Sequence, residues 1–93
     1  MKATYKGNII ADSDSTIVIE GNHYFPAGDV YMEYLSQSDH ESTCPWKGQA
    51  NYYNVTAGGS VAENAAWYYR NPKPEAAEIA GHVAFWGDIT VAE

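Results

Sequence analysis

Residues 49–69 read QANYYNVTAGGSVAENAAWYY. Two runs rich in aromatic and β-branched residues, Gln49–Thr56 and Val61–Tyr69, flank Ala57-Gly58-Gly59-Ser60. Paired glycines between such runs are tight-turn chemistry, so the stretch predicts a long β-hairpin. The Ala65-Ala66 pair is neutral between helix and sheet, which leaves the rings around it to decide for strand.

Working outward, Pro72 and Pro74 end the second strand, because proline cannot donate to a ladder. Glu75–Ala80 is the one credible helix, with Pro74 at its start and Gly81 just past its end. At that length it is a turn or two and depends on packing. Val83–Trp86 and Ile89–Val91 read as a last hairpin around Gly87-Asp88. On the N-terminal side, Ile9–Ala11 and Thr16–Ile19 flank Asp12-Ser13-Asp14-Ser15, whose short polar side chains can bond their own backbone, and this too reads as a hairpin. Gly21-Asn22 is a further turn, His23–Phe25 a short strand, and Pro26–Asp29 a break. Asp29 is placed to cap a helical turn before Met32–Ser38 resumes an extended course. The sum is an all-β chain with one or two short helical turns. No repeat, low-complexity tract or linker divides it, so residues 1–93 read as a single domain.

Ninety-three residues should bury about 60–65% of the surface that the unfolded chain exposes. Thirteen Phe, Trp and Tyr residues mean that core and pocket are built largely from rings. Five basic against twelve acidic residues give a net charge of −7. That repels phosphate backbones and anionic membrane surfaces, so no nucleic acid is expected as partner. No stretch approaches the ~20 apolar residues of a membrane span, and the start of the chain lacks an apolar run of signal-peptide length. A cytoplasmic monomer or homodimer without membrane contact is the expectation. The lone cysteine, unable to form an internal disulfide, agrees with a reducing compartment.

That cysteine lies in STCPWKGQANYY, Ser42–Tyr53. A thiolate nucleophile needs a neighbouring cation or imidazole, and Cys44 has His40 four residues before it and Lys47 three after. The alternative is a small buried apolar side chain held rigid by Pro45, the commoner fate of a free cysteine. Zinc would need four ligands, and the full supply of thiol and imidazole is Cys44, His23, His40 and His82 with no C-x-x-C pair, so neither metal nor other cofactor is expected. Asp12-x-Asp14 has the spacing of a magnesium-binding pair but sits in turn chemistry, and neither Gly58-Gly59 nor Lys47-Gly48 matches a phosphate-cradling loop. Trp46, Trp67 and Trp86 occur in three segments, beside Lys47-Gly48, Asn64 and Gly87-Asp88 respectively. They are either core rings or the walls of a pocket. In the pocket reading Lys47 presents a cation toward an anionic or carbonyl-bearing ligand, a small planar heterocycle or a carbonyl- or carboxylate-bearing metabolite, with Trp46, Lys47, Asn64, Trp67 and Trp86 as ligand-binding residues. Two other readings stand beside it: an enzyme using Cys44 with His40 or Lys47, and a partner-binding module presenting exposed tyrosines.

The runs VIEGNHYFP, STCPWKGQANYY, NAAWYY and GHVAFW, in that order, resemble the small bacterial family known as domain of unknown function 427, which also carries a nucleotidyltransferase-like label. The resemblance runs from about Ile10 to the C-terminus. It implies a β-tent-like fold, two small antiparallel sheets leaning together, similar to methionine sulfoxide reductase B and the thalidomide-binding domain of cereblon. Relatives of that fold hold zinc through paired C-x-x-C motifs, which this chain lacks. In cereblon-type domains three tryptophans cage a small cyclic amide, and the likeness to Trp46, Trp67 and Trp86 is one of fold only. The nucleotidyltransferase label finds neither its carboxylates nor its phosphate loop here. Sulfoxide-reductase chemistry needs a cysteine near the C-terminal strands, whereas Cys44 lies mid-chain.

Overall fold

The computed structural model describes residues 1–93. Nine strands form: β1 (Lys2–Tyr5), β2 (Asn8–Asp12), β3 (Ile17–Ile19), β4 (Asn22–Pro26), β5 (Leu35–Cys44), β6 (Gly48–Ala57), β7 (Ser60–Tyr69), β8 (His82–Phe85) and β9 (Thr90–Ala92). They make a three-stranded sheet in the order β2-β1-β9 and a six-stranded sheet in the order β3-β4-β8-β7-β6-β5. Every pairing is antiparallel. The fold is thus all-β with two antiparallel sheets, as expected.

The 49–69 stretch behaves as its composition dictates. Gly58 and Gly59 both take left-handed φ, 58° and 75°, and the hairpin zips from Ala57↔Ser60 to Ala50↔Tyr69. One irregularity interrupts it between Tyr53 and Val55. Opposite lies Asn64, at φ 56°, a backbone geometry that asparagine tolerates better than most residues. Its N–H donates to the Asn54 side-chain carbonyl at 2.9 Å, and its own Oδ1 accepts the Ser38 hydroxyl. The bulge resets the alternation, so that Ala65 and Ala66 both face the main core.

Several expected features come out differently. The Asp12–Ser15 cluster does not close a hairpin: β2 pairs with β1 around Lys6-Gly7, and β3 pairs with β4. The cluster is a corner at which the chain leaves the small sheet for the large one. Buried Ser13 holds it, donating its hydroxyl to Asp29 at 2.6 Å, accepting the Ser15 N–H at 2.9 Å, and giving its own N–H to the Met1 carbonyl. Asp29 is therefore occupied by Ser13 and caps no helix; it ends a 3-10 turn, Ala27–Asp29, and a second such turn covers Met32–Tyr34, so the extended course expected from Met32 begins only at Leu35. Gly87-Asp88 likewise joins two sheets, since β8 lies between β4 and β7 while β9 pairs with β1. Local turn chemistry was right at both corners, but strand partners are chosen by burial beyond the turn. Finally, Pro74–Ile79 is 3-10 rather than α, with Ala76 at φ −120° breaking the helical run.

The large sheet is covered on both faces. On one, Phe25, Val55, Ala66, Val83 and Phe85 meet Ala3, Tyr5 and Ile10 of the small sheet in the main core. On the other, Tyr24, Ala50, Tyr69 and Ala84 pack with Ala76 and Ile79 of the 3-10 segment. That segment covers only part of the second face, and the candidate site occupies ground beside it.

Candidate functional site

Strand register explains how the second face becomes a cleft. Tyr52, Trp67 and Ala84 form one row across β6, β7 and β8, and Ala50 and Tyr69 form the next. Alternation by two puts all five on one side of the sheet. The two alanines keep the floor low while the rings stand up as walls. Trp86 continues the parity of Ala84 just past the end of β8, and its indole N–H donates to the Asn64 carbonyl at 2.7 Å. Asn64 thus contributes through the backbone at its bulge: it anchors Trp86 and does not itself line the cleft.

Trp67 stands edge-on to both neighbours, 6.1 Å from the Tyr24 ring and 6.4 Å from the Trp86 ring. Its indole N–H donates to the Tyr24 hydroxyl at 3.2 Å. T-shaped pairs of this kind satisfy the ring quadrupoles and fix ring planes. With Lys47, Tyr52 and Tyr69 these tryptophans enclose about 210 Å³ of open space.

Lys47 reaches the cleft from the turn between β5 and β6. That turn is pinned from outside: the Lys47 carbonyl accepts the Lys73 N–H at 2.9 Å, and the Pro45 carbonyl accepts the Lys73 ammonium at 2.6 Å. Gly48, at φ 112°, brings the chain back into β6. Inside, the Lys47 side chain is 7% exposed, an uncommon state for lysine. Its ammonium lies 5.2 Å from the centre of the Trp46 ring and 5.6 Å from that of Tyr69, and it donates to the Glu20 carboxylate. Burial alone would favour the neutral amine; the Glu20 bond and the surrounding phenols prevail and hold the ammonium charged well above the ordinary lysine range. Glu20 in turn is held below the usual carboxylate range by its bond to Lys47 and the attraction of that charge. Burial pushes the Tyr69 phenol up to about 12, against the pull of Lys47. At neutral pH the cleft therefore presents an ammonium and a protonated phenol, both able to donate.

Of the residues picked out from sequence, the structure brings Lys47, Trp67 and Trp86 together around one space. Trp46 is set behind Lys47 and does not line the cleft. Cys44 is half-buried against the second-face cluster, outside the lining. His40 lies four residues up the same strand, its exposed ring tilted over Tyr52 at 4.5 Å. The His40 backbone N–H donates to the Ser38 hydroxyl oxygen, and no bond joins the ring to Cys44. Asp12 and Asp14 belong to the exposed rim of the inter-sheet corner, away from these rings. No three His, Cys, Asp or Glu side chains gather as a metal set, and no helix is long and apolar enough to cross a membrane.

Three members of the arrangement escaped the sequence reading: Tyr52, Tyr69 and Glu20. The tyrosines had a signal, since each shares strand parity with a residue of the cleft, Tyr52 with Ala50 and Tyr69 with Trp67. Glu20 had none, because its contact with Lys47 spans 27 residues and depends on how the β3–β4 turn meets the β5–β6 turn.

The model of the family described as Domain of unknown function (DUF427) matches residues 1–93, and the chain belongs to that family. Among curated proteins none matches.

Proposed function

We propose that this member of the DUF427 family is a binding module for a small, planar, carbonyl-bearing metabolite, held in the cleft of Lys47, Tyr52, Trp67, Tyr69 and Trp86. The observation that carries the reading is the convergence of two donors, the Lys47 ammonium and the Tyr69 hydroxyl, on a space walled by indole and phenol rings. Rings at right angles offer one face to stack on and one edge to bound the ligand, and a carbonyl oxygen supplies an acceptor for the two donors. A space of about 210 Å³ is below the ~300–1,000 Å³ of sites for drug-sized molecules, which favours a ligand of one or two rings. A nucleoside triphosphate is disfavoured, since its phosphates ask for several cations or a bound magnesium.

Binding is preferred to thiol chemistry because Cys44 does not line the cleft and the exposed His40 ring packs on Tyr52 with no bond to Cys44. A thermal-shift screen with neutral planar amides, imides and heterocycles tests the reading. A ligand at a hundred times its Kd adds about 2.7 kcal/mol, which moves the midpoint of so small a domain by ten degrees or more, roughly. Trp86→Ala, at a side chain more than half exposed, is expected to fold and to lose the shift. No shift with any compound, or shifts indifferent to Trp86 and Lys47 substitutions, would overturn it.

A further inference from the structure

Glu20 does not itself line the cleft, but it accepts from the Lys47 ammonium, the group that a ligand acceptor would also use. It belongs to the two-residue turn between β3 and β4, and its side chain, half exposed, extends to the Lys47 ammonium. Its backbone is at φ 55°, followed by Gly21 at φ 81°, so both central residues of the turn are left-handed. Asparagine, aspartate and glycine suit such a first position, whereas glutamate pays for it in backbone strain. A costly residue at this position, with its carboxylate spent on the one buried ammonium, points to a role for the side chain itself.

Resting on the cleft reading above, we infer that Glu20 is a specificity-determining residue that makes the site select neutral carbonyl ligands and reject carboxylates. The ammonium has three N–H donors. Glu20 takes one and neutralises the charge, which leaves donors for a neutral oxygen but little attraction for a second anion. A ligand carboxylate at Lys47 would bring a second negative charge beside that of Glu20, a repulsion that solvent at the half-exposed Glu20 weakens without removing. Acidity of the chain as a whole, at −7, acts in the same direction. The ion pair therefore works as a filter on ligand charge: the lysine supplies the hydrogen bond, and the glutamate removes the pull on anions that a lone lysine would exert.

Benzamide and benzoate, nearly equal in shape and different in charge, serve as probes in titrations of tryptophan fluorescence at neutral pH. The parent is expected to bind benzamide at least about tenfold more tightly than benzoate, the scale of one charge-assisted hydrogen bond. Glu20→Gln keeps an acceptor for Lys47 and removes the charge. It is expected to shift the benzamide-to-benzoate ratio by about tenfold toward benzoate, with benzamide affinity changed by little. If the side-chain amide disturbs the turn, as shown by circular dichroism, Glu20→Ala gives the same reading. A ratio unaltered by substitution would overturn the assignment to Glu20 and leave the cleft reading standing. Failure of both probes to bind parent and variants alike would overturn the cleft reading and this inference with it.

Discussion

Gly48→Ala is expected to destabilise the protein and to disturb Lys47 together. At φ 112° the backbone of Gly48 lies where a side-chain Cβ is rarely found, and holding alanine there costs about 1–3 kcal/mol. A Cβ at this position would stand 3.4 Å from the Asn71 carbonyl oxygen and 3.6 Å from the Lys73 nitrogen, contacts that need little adjustment. The backbone term therefore dominates, and about 2 kcal/mol is expected, or roughly 8–16 °C in melting temperature for a chain under a hundred residues. Gly28→Ala is the control: its φ is unexceptional, nothing lies within 4 Å of its Cβ, and its effect should stay within about 1 kcal/mol of zero or be stabilising. Calorimetric melts measure both. Because strain at Gly48 is relieved by shifting the chain against Lys73, the bond from the Lys73 N–H to the Lys47 carbonyl gives way with it. Ligand-induced shifts in Gly48→Ala should then fall as well. A melting temperature within about 2 °C of the parent would refute the assignment of strain, and with it the account of how the turn is held.

Ile79→Ala should cost about 2–5 kcal/mol, since the side chain is fully buried in the second-face cluster; denaturant titration at constant m-value checks it. Tyr24→Phe should cost about 1 kcal/mol by leaving the Trp67 indole N–H without its acceptor, and a changed near-ultraviolet circular dichroism band would report the freed indole. Alkaline pH should be felt through Tyr69. Its phenol is raised from 10.0 to about 12, so the stability it contributes is whole below pH 10 and is lost as pH rises toward 12. Burial also raises the Tyr53 phenol, so tyrosinate absorbance should show two phenols ionising later than in the unfolded chain, and only the later contribution of Tyr69 should vanish in Tyr69→Phe.

Legibility in the sequence followed the range of the forces involved. The β6–β7 hairpin could be read because Gly58-Gly59 and the flanking rings decide it within twenty-one residues. The breaks at Pro72 and Pro74 are legible for the same reason, as proline acts on its own backbone, whereas Pro26 is itself the last residue of β4, opposite His82. Asp12–Ser15 and Gly87-Asp88 misled, although both are turns, because a hairpin and an inter-sheet corner use the same local chemistry. What separates them is burial elsewhere: Ser13 is drawn inward by Asp29, and Val91 of β9 finds its apolar partners against the main core instead of beside β8. The 3-10 form of Pro74–Ile79 was invisible too, since six residues between a proline and a glycine have too few helical bonds to choose without the sheet beneath them.

The site divides along the same line. Lys47, Trp67 and Trp86 stand out as residue types, a cation and two large rings beside polar or glycine-rich positions, and a cation next to an indole, Lys47 beside Trp46, is a pairing that sequence displays openly. The walls and the filter did not stand out, because they are made by register: Tyr52 meets Trp67 only after the Asn54–Asn64 bulge has set which residues face which way. Asn64 was picked out for its side chain and serves through its backbone, where the same left-handed geometry that makes the bulge also turns its carbonyl to the Trp86 indole. Shifting that register by one residue would turn Tyr52 toward the opposite face and leave Lys47 with one wall fewer. The bulge and the cleft are therefore one structural feature, and a substitution such as Asn64→Val, which penalises the positive φ, acts on the position of Trp86 before it acts on any contact with a ligand.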